Sequence, residues 1–197
     1  MPADVGGTCK TRVPPPWSDP DDRWGRVTED SLTGTTSGLA PTELRYLILA
    51  AQREGHRLFA RLLGDTGLTP SQSEIVVVLA EFGPLSLRDL GGMIVCEAGS
   101  PSRVVDALVQ RKLVERQPDP RDRRAVLLDL TTTARELVPT LREIEREMDA
   151  ATADRLDPAQ RALLADVLRD FLNDTRDGLA LDRRFAAWRS TPPPTLS

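Results

Sequence analysis

Three prolines in this chain follow a residue that can cap a helix and precede apolar residues at helical spacing. The pairs are Thr69-Pro70, Ser100-Pro101 and Asp157-Pro158. A Ser, Thr or Asp side chain accepts a hydrogen bond from the first helical turn, and proline is favoured there because its missing N–H is not needed. In the first and last pairs a glutamine follows three residues after the cap, which completes a capping box. These pairs predict three helix starts, and Pro41 predicts an earlier one.

Apolar residues follow these starts at helical spacing. After Pro41 they recur every three or four residues, at Leu44, Ile48, Ala51, Gly55, Leu58 and Leu62, so they share one face of a helix. Similar stripes run from Leu137 to Ala151 and after Pro158. We expect Gly178 to end the helix after Pro158, and residues 181–188 to add a last helical segment. Hydrophobic residues are 40% of the chain and aromatic residues 4%, a composition that favours helices over a β-sandwich.

Two short strands are predicted in the middle of the chain, at residues 114–116 and 125–131. The segment between them reads QPDPRDRR, and its prolines exclude a helix. Residues 116–124 contain four arginines and two aspartates, although the whole chain is formally -4. Residues 141–174 contain five basic and nine acidic residues. An acidic total can therefore coexist with a basic contact surface.

The order of elements predicts a mainly α fold with a small β-wing, a winged helix-turn-helix domain flanked by N- and C-terminal dimerisation helices. A short helix opening at Ser86, with Leu87, Leu90, Met93 and Ile94 on its apolar side, would support the helix that starts at Pro101. Polar residues on that second helix can enter a major groove, and a basic hairpin can reach the backbone or the minor groove. The outer helices have long apolar stripes that a small domain cannot cover alone. We therefore expect a homodimer with recognition helices about one DNA turn apart.

The stretch PSRVVDALVQRKLVERQPDPRDRRAVLLDLT resembles the core of MarR-type transcriptional regulators. Residues 113–116 match the pattern L-V-x-R, residues 119–124 match a wing of the form D-x-x-D-R-R, and Leu130-Thr131 opens the next helix. The resemblance covers about residues 40–178. Lys112 and Ala134 stand where many members have glycine, which is expected to stiffen the exit from the recognition helix and the turn after the wing.

The resemblance implies a homodimeric repressor of neighbouring genes that binds a palindromic operator in double-stranded DNA and is released by a small-molecule effector. The residues expected to contact DNA are Ser100, Ser102, Arg103, Asp106, Gln110, Arg121, Arg123 and Arg124. Arg103 is the main candidate for a guanine or phosphate contact. Asp122 would structure the wing by holding Arg124 while Arg123 reaches the DNA from the tip. A small aromatic or other apolar effector is expected near Tyr46, His56 and Phe59.

Composition divides the chain into three parts. Residues 1–38 are rich in Pro, Gly, Asp, Ser and Thr, so they and residues 191–197 are predicted to be disordered. The MarR-type domain is expected over residues 39–190, with the winged helix-turn-helix at about 69–133 and dimerisation helices at about 41–64 and 132–178. With no long apolar run and no signal peptide, we expect a cytoplasmic protein without a membrane span.

Several alternatives remain at the level of sequence. The arginine-rich loop is also compatible with a solvated turn, and the whole domain with a protein-binding winged helix that has lost DNA binding. Cys96 is either a redox sensor or, as we favour, a small buried apolar residue. The single histidine and the two cysteines without a CxxC pair predict no metal site and no cofactor. Residues 143–147 form no acid–base pair and the GSPS stretch lacks the G-x-S-x-G pattern, so we predict no enzyme.

Overall fold

The computed structural model describes residues 40–95, 100–122 and 124–190. The predicted tails, Cys96 and Arg123 lie outside the described residues. The helices are α1 Pro41–Leu62, α2 Pro70–Phe82, α3 Leu87–Gly91, α4 Pro101–Gln110, α5 Thr132–Ala153, α6 Pro158–Leu172 and α7 Arg176–Ser190, and the strands are β1 Leu85–Ser86, β2 Val114–Pro118 and β3 Val126–Leu130. This confirms the predicted fold class, mainly α with a small β-wing. Among the described residues no helix combines the length and apolar character needed to span a membrane.

All three predicted helices start at the predicted prolines, and two of the three predicted side-chain caps form. Thr69 and Gln72 exchange side chain and backbone hydrogen bonds at the start of α2, and Asp157 and Gln160 do the same at the start of α6. Ser100 occupies the cap position of α4, but its hydroxyl does not cap the helix. It hydrogen-bonds instead to the Ser102 hydroxyl at 2.7 Å.

The predicted end of α6 at Gly178 is wrong. The helix ends at Leu172, and Asp174 takes a positive φ of 58° in the turn that follows. Gly178 lies in the first turn of α7, where its N–H donates to the Thr175 hydroxyl at 3.1 Å. A Cβ at Gly178 would lie 2.2 Å from the carbonyl oxygen of Leu172. Position 178 therefore accommodates only glycine, because the α6–α7 turn approaches it closely. The last helix, α7, begins five residues earlier than the predicted segment at 181–188.

Helix α2 lies at the centre of the core. Its residues Ile75 to Leu79 are all at most 1% exposed, as expected of a helix surrounded by other elements. The side chains that bury it come from α4, β3 and α5, and include Val105, Leu108, Leu128, Leu130, Leu141 and Ile144. One expectation fails here, because Leu87 of α3 is 40% exposed whereas Leu90 is fully buried.

The three strands form an antiparallel sheet in the order β1-β3-β2. Strands β2 and β3 pair from Val114 with Leu130 to Pro118 with Val126, so the predicted hairpin is present with β2 extended by two residues. Strand β1, which pairs Leu85 with Leu128, has no counterpart in the sequence prediction. The wing, defined as β2, β3 and the loop 119–125, is thereby attached to the helix-turn-helix along its inner strand.

The two positions where glycine was expected differ in their backbone. Lys112, which follows α4, has a φ of 57°, in the left-handed region that costs a side-chain-bearing residue about 1–2 kcal/mol. The Thr131 hydroxyl donates to the Lys112 carbonyl at 2.8 Å and helps to hold this turn. Ala134 is not in a turn after the wing, since it is buried in the first turn of α5, and its N–H donates to the Thr131 hydroxyl.

Candidate nucleic-acid interface

Helix α4 presents the predicted polar residues on its outer face. Arg103, Asp106 and Gln110 are exposed, whereas Val105 and Leu108 on the opposite face are fully buried. Ser102 is half-buried because its hydroxyl is bonded to Ser100. The Arg103 guanidinium has no ion pair with any described residue. It is therefore available to an acceptor outside the protein.

An ion pair joins α4 to the wing. The Arg116 guanidinium of β2 donates to Asp106 Oδ1 at 2.5 Å, with both side chains about half exposed. Such an exposed pair contributes only about 0.2–1 kcal/mol to folding. Its effect on the surface is larger, because it neutralises the one carboxylate predicted to face the phosphates and aligns β2 beside the outer face of α4.

Two aspartates shape the loop of the wing. Asp119 Oδ1 accepts the backbone N–H of Arg121 at 2.8 Å, and Asp122 Oδ1 accepts that of Arg124 at 2.9 Å. Both are Asx-type turns, in which a carboxylate replaces a backbone acceptor two residues earlier. The Ala125 N–H also donates to the Asp122 carbonyl, which closes the loop. The aspartates therefore satisfy backbone donors of the arginines that follow them.

This geometry revises the predicted partnership between Asp122 and Arg124. The contact exists, but Asp122 holds the backbone amide of Arg124 and not its guanidinium. Arg121 and Arg124 are both exposed, and neither guanidinium forms an ion pair with a described residue. Arg123, predicted at the tip, lies outside the described residues, so its role stays a prediction.

The residues predicted near an effector line neither of the two clefts found in the described part of the chain. Tyr46 and His56 are exposed on α1, and the Arg45 guanidinium lies 4.5 Å from the centre of the Tyr46 ring. Phe59 is half-buried and packs against the core. Two clefts of about 780 and 420 Å³ in the described part of the chain are lined by other residues. Nor do His, Cys, Asp and Glu side chains there cluster in threes as a metal site requires.

Comparisons with known proteins agree with this arrangement. The model of the MarR family matches residues 68–126, from just before α2 through the helix-turn-helix to the start of β3. The HTH-type transcriptional repressor NicR of Pseudomonas putida is 24% identical over 131 residues, which cover 66% of this chain and 83% of that protein. The structure of Bordetella bronchiseptica BpsR, whose DNA binding is regulated by 6-hydroxynicotinic acid, is 27% identical with a TM-score of 0.62, and covers 69% of this chain and 98% of BpsR.

Over residues 68–126 the chain is therefore similar to the MarR family. A mutant of Escherichia coli MarR in complex with operator DNA has the same fold, with a TM-score of 0.60 at 24% identity over 66% of this chain and 93% of MarR. MarR-family proteins are transcription regulators and not enzymes. The exposed arginines of α4 and the wing lie within the part of the chain that the MarR family model matches.

Sequence reasoning missed two arginines that organise this candidate interface. Arg116 was recognised only as part of a motif, and its position opposite Asp106 depends on how β2 packs against α4. Arg111 donates to the carbonyl of Gly67 and to Gln72 Oε1, both at 2.9 Å, and so ties the end of α4 to the start of α2. A charged residue just after a helix carries no local signal for partners about 40 residues away.

Proposed function

We propose that this protein is a homodimeric, sequence-specific DNA-binding regulator that represses neighbouring genes and responds to a small-molecule effector. Helix α4 enters the major groove, and the wing contacts the adjacent backbone or minor groove. DNA contacts come from Ser100, Ser102, Arg103, Asp106, Gln110 and the wing arginines Arg121, Arg123 and Arg124.

The main observation behind this proposal is the positive charge that α4 and the wing expose. Arg103, Arg121 and Arg124 are exposed and free of ion pairs with described residues. The Asp106 carboxylate of α4 is paired with Arg116 of β2, and the Asp119 and Asp122 carboxylates accept backbone N–H groups of the wing loop. A surface left with excess guanidinium groups on an acidic protein matches the polyanionic backbone of DNA.

Exposed apolar side chains support the homodimer. On α1 the large apolar residues exposed in a single chain are Leu44, Tyr46, Leu47, Ile48 and Leu49, and on α6 they are Leu163, Leu164, Val167 and Phe171. Contiguous patches of this kind are costly in water and are typical of subunit interfaces. A two-fold axis would cover both helices and pair two recognition helices on a palindromic operator.

The effector response is proposed from the relatives and from the position of α1. BpsR responds to an aromatic acid, and NicR is named a repressor. An aromatic or other small apolar effector would bind between α1 and a second protomer, near Tyr46, His56 and Phe59. Two of these side chains are exposed in one chain, so the pocket would be completed by dimerisation.

A fluorescence titration against the DNA upstream of the gene tests the DNA-binding proposal. Binding should weaken steeply with salt, because each arginine–phosphate contact adds about 0.9 to the slope of log affinity against log salt. In R121Q/R124Q the slope should fall by up to about 3.6 per dimer, and affinity by about tenfold or more. Binding by the unaltered protein that is indifferent to both salt and DNA sequence would contradict the proposal.

Arg146→Gln is the matched control for these variants. Arg146 is an exposed arginine already paired with Glu143 on α5, about 20 Å along the helix from the wing. Its loss should leave the salt slope unchanged. If R121Q/R124Q and R146Q bind operator equally well, Arg121 and Arg124 do not contact the DNA.

A further inference from the structure

A cleft of about 780 Å³ lies between α3, the start of α4 and α7. We call it the arginine cleft, because Arg88 of α3 and Arg176 and Arg183 of α7 all line it. Ser100 and Ser102, at the start of α4, form part of its wall. The recognition helix and the last helix therefore share one concave surface.

The arginine cleft has an unbalanced positive charge. Its described lining includes three arginines and no carboxylate. All three arginines are exposed, and none forms an ion pair with a described residue. The nearby Asp89 carboxylate is engaged by the Ser86 hydroxyl at 2.6 Å as part of the cap of α3. Charge complementarity therefore favours an anionic occupant.

The backbone of the helix-turn-helix leaves room for one of these guanidinium groups. A Cβ placed on Gly92 would lie 2.5 Å from Arg183 Nη1, closer than real contacts allow. A side chain at position 92 would therefore displace the flexible end of Arg183 from the place that it occupies beside the end of α3.

Helix α7 is held in place beside the helix-turn-helix by the next residue. Arg184 Nη1 lies 3.1 Å from Glu74 Oε1 of α2, with the two side chains 14% and 13% exposed. Arg184 also lies 4.0 Å from Glu145 of α5, and Glu74 in addition accepts the Val95 N–H at 3.0 Å. Because this contact is largely buried, it fixes where α7 presents Arg176 and Arg183 relative to α4.

We propose that the arginine cleft binds a phosphate of the DNA backbone beside the major groove that α4 enters. This inference rests on the proposed DNA-binding function. Ser100 and Ser102 are at once part of the cleft and of the set predicted to contact DNA. Guanidinium groups match phosphate oxygens in geometry and charge. The last helix thus adds backbone contacts to those of the recognition helix and the wing.

The test compares R176Q/R183Q with the unaltered protein in full-length form, on its operator and on unrelated DNA. Loss of the one phosphate bound in each arginine cleft should lower the salt slope by about 0.9 per protomer, or about 1.8 per dimer. Affinity should fall by a similar factor on both DNAs, because backbone contacts do not distinguish sequence. Arg184 remains in this variant, so thermal unfolding should be unchanged, and R146Q again serves as the control.

The possible outcomes separate this inference from the proposed function. If the unaltered protein binds no DNA, the proposed function fails. A second outcome is that the unaltered protein binds DNA and R121Q/R124Q weakens this binding, whereas R176Q/R183Q changes neither the salt slope nor the affinity. That outcome overturns only the arginine cleft proposal. A separate titration with inorganic phosphate alone tests whether the arginine cleft binds a free anion. Saturable phosphate binding lost in R176Q/R183Q, without any change in DNA binding, would assign the cleft to a free anion and also overturn the proposal.

Discussion

Asp122 shows how a single acidic residue can favour DNA binding. Coulomb repulsion alone predicts that removing its charge would strengthen binding to phosphate. In the structure its carboxylate accepts the Arg124 N–H at 2.9 Å, so Asp122→Ala would leave the loop without this turn. We expect D122A to weaken operator binding by about 1 kcal/mol, the net value of one hydrogen bond, or about fivefold in a fluorescence titration.

Asp122→Asn separates the effect of the carboxylate charge from the effect of the hydrogen bond, because asparagine keeps the acceptor oxygen and loses the charge. D122N should bind operator at least as tightly as the unaltered protein. Equal weakening in D122A and D122N would contradict the turn-forming role and assign the effect to the carboxylate charge.

At the scale of elements, a largely buried ion pair anchors α7 to α2. Arg184 joins it to Glu74 across 110 residues of sequence, with both side chains more than four-fifths buried. Removing one partner of a buried ion pair typically costs about 3–5 kcal/mol. We expect Arg184→Met to lower the free energy of unfolding in urea by about 3 kcal/mol.

The adjacent arginine provides the control for this prediction. Arg183→Gln removes the same charge from an exposed position, and such surface changes usually lie within about 0.5 kcal/mol. Similar stability of R184M and R183Q would mean that α7 is not anchored through Arg184.

At the scale of the whole molecule, the exposed apolar stripe of α6 predicts assembly. Phe171 is 69% exposed in a single chain, so Phe171→Asp should be tolerated by a monomer. In a dimer that buries α6 it would place a charge in an apolar interface. We expect sedimentation equilibrium to give twice 21.7 kDa for the unaltered protein and the monomer mass for F171D, with operator affinity lost as well.

Val126→Asp is the matched substitution outside the proposed interface. Val126 is 50% exposed but belongs to the wing strand β3, so V126D should remain dimeric. If F171D keeps the mass of a dimer, α6 does not form the subunit interface.

The sequence alone determined the features that depend on neighbours a few residues apart. The capping boxes at Thr69 and Asp157, the start of α4 at Pro101 and the β2–β3 hairpin all form where the pattern predicts them. Caps and helix starts use hydrogen bonds between residues three or four positions apart, so they can be recognised without the rest of the fold. The resemblance to MarR-type regulators also predicted the residues of the proposed site and agreed with the order of these elements.

Only the tertiary structure decided the contacts between elements distant in the sequence. The pairing of β1 with β3, the Asp106–Arg116 pair and the Arg184–Glu74 pair have no local signal. A two-residue strand has no periodicity of its own, and an arginine pairs with whichever carboxylate packing brings near. The arginine cleft arises in the same way, because α3, α4 and α7 meet only after the core around α2 has formed.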